Sequence, residues 1–331
     1  MLKKAIIYSS LIIIILLCSI LLKFYFLGKP LNIKQIEPYI TKSTHQHKIA
    51  ISYFGCAGFM ITYNNESILC DPFISNPNFI NFGKKHTAWS SIFPKKALSQ
   101  INMVTISHGH YDHCYDAKEL TPFIEKNSKI IADNSVLNQL SSAFKQKEIE
   151  EINLNYNKEQ AWIYNKDSTF RVFPIQSVHS PHIGTLEFFK GTYSAKLPQL
   201  PNVAWRWKKG EVFSYLIDII KHDSVLYRIA LINGNLSNIG VVALQKQSKQ
   251  RTADLQLQIF WKENLVTENM LQVMNITHPK EIILHHWNNF FVSFDEPIQY
   301  LRDAHLPEVL KKYNDQKIKT TIMLPFTTVQ L

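Results

Sequence analysis

The chain lacks the Cys-x-x-Cys pairs of a thiolate zinc site, although it contains four cysteines. Cys18 lies in an apolar N-terminal run, and Cys114 follows a group of histidines. Cys56 and Cys70 flank a predicted pair of strands. Either these two form a disulfide in an extracytoplasmic domain, or both are buried free thiols.

Long basic runs are also missing, because the lysines occur in short pairs such as Lys84-Lys85 and Lys208-Lys209. The formal net charge is +10, but no basic arm or track accompanies it, so we expect no nucleic-acid partner. An anionic lipid surface is the partner that this charge favours. Internal repeats and low-complexity segments are absent too, while 46% hydrophobic and 12% aromatic residues indicate a globular core.

The N-terminus carries the longest apolar run, residues 5–22, which follows Lys3 and Lys4. As a helix this run would reach about 27 Å, close to the roughly 30 Å of a bilayer core. No Ala-x-Ala site follows it, and Leu17 before Cys18 does not suit a lipoprotein. We therefore expect residues 1–27 to be an uncleaved signal anchor, a single transmembrane helix with the N-terminus inside.

The remaining chain is predicted to consist of a linker, residues 28–48, and one domain, residues 49–331. The domain would then be extracytoplasmic. Its pattern is rich in strands separated by turns and helices, which predicts an α/β fold. The predicted early strands are Ile49–Phe54, Phe59–Tyr63, Ser67–Cys70 and the strongly apolar run Ile101–Ser107.

A cluster of metal-ligand residues follows that apolar run directly. His108, His110, Asp112 and His113 offer imidazole nitrogens and a carboxylate, which suit zinc and neighbouring divalent metals. Gly109 would let the backbone bend tightly between the first two histidines. Three histidines and an aspartate at this spacing after a buried strand predict a metal centre.

Four segments together resemble the metallo-β-lactamase superfamily over most of residues 50–292. They also resemble, more narrowly, its branch with N-acyl phosphatidylethanolamine phospholipase D and ascorbate-6-phosphate lactonase. The segments are Tyr53-Phe54-Gly55-Cys56-Ala57-Gly58-Phe59, Ile68-Leu69-Cys70-Asp71-Pro72, Ser107 to His113, and Ala253-Asp254-Leu255 with His285-His286-Trp287-Asn288-Asn289-Phe290. The resemblance implies a four-layer αββα sandwich after the transmembrane helix.

The resemblance also implies the ligands of two metals. His108, His110 and a histidine after a mid-chain strand would hold the first metal; His179 fits that place, and His182 is the alternative. Asp112, His113 and His286 would hold the second, with His285 as the alternative to His286. Zinc is the expected metal, as one or two ions, with iron or manganese as alternatives.

Two further positions concern the polar surroundings of this centre. Asn235 stands where many members of the superfamily have a bridging aspartate, and an amide is a weaker, neutral ligand. Asp254 would orient a histidine ligand through its other ring nitrogen, or it is a solvated carboxylate at a strand end.

The expected activity is that of a metal-dependent hydrolase, in which a metal-bound hydroxide attacks an ester, amide or phosphodiester bond. Asp112 would orient the water or accept its proton. The anchor and the resemblance favour a small-molecule or lipid-like substrate. Two alternatives are a non-catalytic metal-containing sensor and a nuclease of the same fold. The segment 191–210 is expected to be an active-site lid, an interfacial surface or a packed loop.

Overall fold

The structure is a computed structural model in which residues 8, 10–17, 28–77, 100–121, 124–144, 149–156, 158–182, 184–292 and 296–331 are described. The strands are β1 (Lys29–Pro30), β2 (Ile49–Gly55), β3 (Gly58–Tyr63), β4 (Glu66–Cys70), β5 (Ile101–Thr105), β6 (Lys129–Asp133), β7 (Glu150–Leu154), β8 (Ile163–Tyr164), β9 (Phe170–Val178), β10 (Val212–Lys221), β11 (Ser224–Ile232), β12 (Asn235–Leu236), β13 (Leu255–Ile259), β14 (Glu281–His285), β15 (Gln299–Tyr300), β16 (Thr320–Ile322) and β17 (Thr327–Gln330). The helices are α1 (Ile33–Ile36), α2 (Tyr111–Cys114), α3 (Ala117–Leu120), α4 (Asn134–Phe144), α5 (Asn238–Gln250), α6 (Glu263–Thr277) and α7 (Leu306–Asp315).

Most of the strands form two large mixed sheets. The first has the order β17-β2-β3-β4-β5-β6-β7, and its last three pairings are parallel. The second has the order β12-β9-β10-β11-β13-β14-β16, with β8 paired to β9. Each sheet mixes antiparallel hairpins with parallel strands that need helical crossovers, which is why helices alternate with strands along the sequence.

The apolar faces of the two sheets share one central core. Ile51 and Ile61 of the first sheet belong to the same buried cluster as Ile217 and Leu231 of the second. Neighbouring strand residues point the other way, because side chains alternate along a strand. Two outer clusters therefore form, one between the first sheet and α4 and the other between the second sheet, α5 and α6. The result is a sandwich of two sheets with helices outside, which confirms the predicted strand-rich α/β class.

Several chain segments with polar residues follow the ends of inner strands. The histidine cluster comes after β5, His179 directly follows β9, and His286 directly follows β14. The tight turn between β2 and β3 carries Cys56. These connections supply the candidate site described below.

The segment 28–48 differs from the expected linker. Its residues pair and pack with the C-terminal part of the chain: β1 pairs with β15, and Ile36 is fully buried in the central core. Thr41 donates a hydrogen bond to the Ile322 carbonyl. Apolar residues spaced along this segment provide that packing, so it forms part of the folded domain.

Only a part of the predicted anchor lies within the described residues. Residues 10–17 are helical, and their apolar side chains are more than half exposed, as at Leu11 (53%) and Ile12 (58%). Within the described ranges, no helix combines the length and the apolar character that crossing a bilayer requires. Cys18 and the remainder of residues 1–27 lie outside the described residues.

Candidate metal centre

The first group of candidate ligands consists of three histidines from two segments. Nε2 of His108 and Nδ1 of His110 are 3.1 Å apart. The ring of His179 lies with its centroid 5.0 Å from that of His108 and 4.8 Å from that of His110. One ring nitrogen from each histidine falls within 4.8 Å of the others, so the three can bind one cation. This is the grouping that the sequence predicts for the first metal.

A second group forms beside it from residues far apart in the sequence. Asp112 Oδ2 lies 3.3 Å from His286 Nε2, and the Cys56 Sγ atom lies 3.1 Å from the same nitrogen. Nε2 of His113 is 3.9 Å from Asp112 Oδ2, so His113 borders this group. The sequence predicts Asp112, His113 and His286 together, whereas Cys56 is considered there only as a disulfide partner or a buried thiol.

The cysteines of the described residues are all free. Cys56, Cys70 and Cys114 are each buried without a disulfide, so the Cys56–Cys70 disulfide is not formed and the alternative of two buried free thiols holds. Cys56 lies in the β2–β3 turn, while Cys70 ends β4. Burial raises the pKa of the Cys56 thiol well above its usual range, and the nearby Asp112 carboxylate raises it further.

Asp71 holds one of the candidate ligands in place. This buried residue follows β4 and accepts hydrogen bonds from Ser107 N and Ser107 Oγ, each at 2.7 Å. Its Oδ2 is 2.8 Å from Nδ1 of His113, so Nδ1 donates to the carboxylate and Nε2 is left for a metal. The predicted site residues do not include Asp71, although Asp71-Pro72 at the end of a strand is a signal that points to it.

The protonation of the first group suits metal binding. Burial lowers the pKa of His108 and of His179 well below their usual range, and the neighbouring histidines lower both further. Burial likewise lowers the pKa of His110 to about 3. These imidazoles are therefore neutral near pH 7, which is the state in which histidine binds a metal.

The second group combines an ionised carboxylate with histidines. Burial alone would raise the pKa of Asp112, but the hydrogen bond with His286 and the nearby His113 hold it below its ordinary value. Burial would similarly lower the pKa of His113, yet the Asp71 carboxylate raises it. Asp112 therefore carries a negative charge among histidines, as a metal ligand must.

The donor set fits a divalent metal. Nε2 of His110 is buried and has no hydrogen-bond partner. A buried nitrogen without a partner costs free energy unless something binds it. Imidazole, carboxylate and thiol donors within one cluster match the ligands that zinc and its neighbours use.

Gly109 is required by the close approach of another loop. A Cβ atom at this position would lie 2.2 Å from the Lys208 carbonyl oxygen, and Gly109 N donates to the Lys209 carbonyl at 2.7 Å. Gln139 on α4 joins the two loops, since it donates to the Gly109 carbonyl at 2.7 Å and accepts from Lys208 N at 2.8 Å. Close packing rather than a tight bend is therefore the reason for this glycine.

The segment 191–210 behaves as a packed loop. Trp207 is buried in the outer core beside α4, whereas Trp205 is 58% exposed. Tyr193 N donates a hydrogen bond to Ser135 Oγ at 2.8 Å, and Gly210 N donates to the Gly191 carbonyl at 3.0 Å. Of the three alternatives for this segment, the packed loop agrees with these contacts.

His110, Asp112, His113, His179 and His286 line a pocket of about 350 Å³ with a largely apolar wall. His182 lies on this wall, and its ring stacks on that of His179 with centroids 4.7 Å apart. The apolar lining residues are Tyr111, Phe188, Phe189, Ile259, Trp261, Phe290, Phe291 and Leu301. Lys262, Arg302 and Asp303 line it as well. Trp287, which follows His286 in the sequence, is fully buried in the central core and does not line the pocket.

Two predicted polar positions do not line this pocket, although Asn235 pairs with Val178, the residue before His179. Asn235 lines a separate depression next to α6, together with Glu268, Asn269 and Gln272. Asp254 precedes β13, where its carboxylate accepts from Arg228 N at 2.9 Å and pairs with Arg251. Asp254 therefore lies at the start of β13. The histidine segment that begins with His285 lies at the other end of this strand, where His285 pairs with Ile259.

Two other residues near the strand ends are buried without entering the pocket lining. His285 packs edge-on against Phe59, and its Nε2 is 3.2 Å from the Ile232 carbonyl oxygen. Asn233 follows β11, and neither its side-chain oxygen nor its nitrogen has a hydrogen-bond partner. The structure thus places His286 rather than His285 among the pocket residues.

The fold and the sequence can be compared with known proteins. The family model of the beta-lactamase superfamily domain matches residues 66–228, and the chain matches no curated protein. Among solved structures, the metallo hydrolase Igni18 from Ignicoccus hospitalis is 18% identical with a TM-score of 0.52, covering 85% of this chain and 97% of its own.

Two bacterial structures show the same fold. The metallo-beta-lactamase fold protein YhfI from Bacillus subtilis is 12% identical with a TM-score of 0.51, over 85% of this chain and 98% of its own. Isothiocyanate hydrolase from Delia radicum gut bacteria is 13% identical with a TM-score of 0.51, over 85% of this chain and 99% of its own. Residues 66–228 thus match the beta-lactamase superfamily domain, and the two-sheet sandwich that carries the histidine cluster has the fold of these metallo-hydrolase structures.

Proposed function

We propose that the chain is a metal-dependent hydrolase that acts on an ester, amide or phosphodiester bond of a lipid-like substrate. The observation that carries this proposal is the meeting of two ligand groups at one apolar pocket. The first is His108, His110 and His179, and the second includes Asp112 and His286. Zinc is the metal we propose, since imidazole and thiol donors favour it, and iron or manganese remain the alternatives.

A divalent metal in this centre would supply a nucleophile from water at neutral pH and stabilise the charge that develops on the substrate. The protein residues would position that chemistry. Asp112 is ionised and borders the pocket, so it can accept a hydrogen bond or a proton from the attacking water. Asp71 and Ser107 would keep the His113 ring fixed meanwhile.

His182 is placed to assist the leaving group. Its Nδ1 accepts a hydrogen bond from Phe188 N at 3.1 Å, so the neutral ring carries its proton on Nε2. Burial lowers the pKa of His182, which favours this neutral form. From the pocket wall the ring can donate a hydrogen bond to an oxygen or nitrogen of the substrate.

The apolar wall supports a substrate with a hydrocarbon part. The aromatic side chains of Phe188, Phe189, Trp261, Phe290 and Phe291 all line the pocket. Such a lining favours an acyl chain or another apolar group next to the bond that is cleaved. The resemblance to the branch with N-acyl phosphatidylethanolamine phospholipase D also favours a lipid-like substrate, and we include it in this proposal.

The test is hydrolysis of a chromogenic panel by the zinc-loaded chain: p-nitrophenyl esters of rising acyl length, a lactam, and a bis-aryl phosphodiester. We expect activity that rises with acyl length and disappears in His110→Ala. An equally folded Phe188→Ala variant should lose the length preference while it keeps activity on the shortest ester. Bound metal without hydrolysis of any panel member would contradict the proposal and favour the metal-containing sensor.

We also propose that residues 1–27 anchor the chain in a membrane, with the domain on the extracytoplasmic side. The support is the apolar run of residues 5–22 and the exposed apolar side chains of residues 11–17. The full chain should sediment with membranes and resist a high-salt wash, because an apolar anchor is insensitive to screening. A variant without residues 1–27 should stay in the supernatant. Release of the full chain by salt alone would rule out a spanning anchor.

A further inference from the structure

Cys56 occupies an unusual backbone position at the end of β2. Its φ is 51°, in the left-handed region that a residue other than glycine rarely adopts, and Gly55 before it has a φ of 98°. Such a conformation costs free energy and persists only where the surroundings hold it. The turn therefore holds the Cys56 side chain in its position although the backbone is strained there.

The contacts that hold this turn come from the segment with the ligand His286. Cys56 N donates to Asn288 Oδ1 at 2.7 Å, and His286 N donates to the Cys56 carbonyl at 2.7 Å. Tyr53 Oη donates to the Cys56 carbonyl at 3.0 Å. His286 also has a positive φ, 61°. Two strained residues thus face each other and are tied through their backbones.

The side-chain atoms that result form a triangle. Sγ of Cys56 lies 3.1 Å from Nε2 of His286 and 3.9 Å from Oδ2 of Asp112, and the last two atoms are 3.3 Å apart. Zinc bonds of about 2.0–2.3 Å at tetrahedral angles place ligand atoms roughly 3.3–3.6 Å from one another. The three atoms are therefore close to the spacing of three ligands around one ion.

The charges of the centre also call for a second anion. The first group offers only neutral imidazoles, and Asp112 is the carboxylate of the second group. Asn235, where the resemblance leads one to expect a bridging aspartate, is neutral and lines another depression. A thiolate at Cys56 would add one negative charge next to the second cation and offset the repulsion between two divalent ions.

We propose that the Cys56 thiolate is a ligand of the second metal, together with Asp112 and His286. The inference deepens the proposed function, since it rests on a metal bound in this pocket. When a cation binds, the Cys56 Sγ–H bond breaks, the proton leaves to solvent, and both electrons of that bond remain on the sulfur that forms the bond to the metal.

The experiment uses cobalt(II) as a probe, because a cobalt–thiolate bond gives a charge-transfer band that histidine and carboxylate ligands do not give. The full-length chain, purified in mild detergent and freed of metal, is titrated with cobalt(II) and followed by absorption. We expect the band in the wild type, in Cys70→Ser and in Cys114→Ser, but not in Cys56→Ser. The Cys56→Ser change should weaken binding of the second ion by more than roughly 10–100-fold. That smaller range is typical when the lost residue only hydrogen-bonds to a metal ligand.

A variant in which Cys18, Cys70 and Cys114 are all serine retains Cys56 as the sole thiol, and it decides the matter if Cys56→Ser does not fold. Retention of the band there supports the inference. Ligand-field bands of bound cobalt without a charge-transfer band would overturn the Cys56 assignment and leave the metal centre intact. Absence of any cobalt binding would overturn the proposed function as well.

Discussion

Asp71 Oδ2 and His113 Nδ1 are 2.8 Å apart, and this contact determines which nitrogen of His113 can bind a metal. The carboxylate is held in turn by two hydrogen bonds from Ser107, the residue directly before the histidine cluster. The end of β4 therefore orients a side chain in the loop after β5. This is a pairing of carboxylate, histidine and metal site in which a buried acid fixes the ring and raises its basicity.

Replacing Asp71 by asparagine should weaken metal binding while the fold is kept. The amide cannot carry the negative charge that favours His113 as a donor through Nε2, so we expect affinity to fall about 10–100-fold. Competition between the purified chain and a chromophoric zinc chelator measures this loss. Asp254→Asn is the matched control, because this carboxylate lies outside the pocket and pairs with Arg251. An equal loss in both variants would assign Asp71 a merely structural role.

Substituting Gly109 by alanine should destabilise the centre by packing alone. The added Cβ would meet the Lys208 carbonyl at 2.2 Å, so the loop with Lys208 and Lys209 must move. Overpacking of this kind typically costs about 1–3 kcal/mol, which a thermal unfolding scan resolves. Gly184→Asn serves as the control, since its site is open and asparagine tolerates the positive φ. Unchanged stability of the Gly109 variant would show that the two loops are not tightly packed.

The sequence predicts the part of the site that lies in one segment. His108, His110, Asp112 and His113 follow β5 within a few residues, so a local pattern reveals them. Cys56 cannot be found in this way, because its place depends on the β2–β3 turn meeting the chain after β14. The one sequence signal for Cys56 is the Gly-Cys-Ala-Gly turn directly after an apolar strand. That signal agrees equally well with a disulfide or a buried thiol.

The fold was predictable to a similar extent. Early strands such as β2 and β3 show clear turns and apolar content, and the structure has them within about one residue of the predicted bounds. The segment 28–48 was harder to predict, since its prolines and polar residues are typical of a linker. Its burial comes from pairing with β15, a contact between opposite ends of the chain.

Substitution of Asn235 tests whether this position contributes to metal binding in a centre that has no bridging aspartate there. Since this residue lines the depression beside Asn269 rather than the metal pocket, Asn235→Asp should leave metal stoichiometry and affinity unchanged. Elemental analysis across a chelator titration, for the wild type and the variant, measures both. A higher occupancy of the weaker site in the variant would show that Asn235 reaches the metals and that the placement described above is incorrect.

Asp133 should make stability depend on pH. Burial raises the pKa of this carboxyl from its ordinary 3.8 to about 6, and nearby Glu211 raises it further against hydrogen bonds from Ser135 N and Val136 N. The native state thus retains a proton that the unfolded chain has lost between about pH 4 and 6. The stability that this proton provides is full below pH 4, declines as the pH rises to 6, and stays lost above it.

The comparison with Asp133→Asn isolates this effect, because an amide does not titrate. Urea unfolding of both proteins should show the wild type losing up to about 3 kcal/mol relative to the variant between pH 4 and 7. Parallel curves for the two proteins over this range would show that Asp133 titrates normally in the folded chain.

The most direct test of the account is the metal content of the purified full-length chain, measured by elemental analysis together with circular dichroism. The account predicts one to two divalent ions per chain, and loss of the first-group ion in His110→Ala with the fold retained. The same variant should lack hydrolytic activity on every substrate of the panel. A stable, folded and metal-free wild type that does not bind added zinc would contradict the assignment of a metal centre to this pocket.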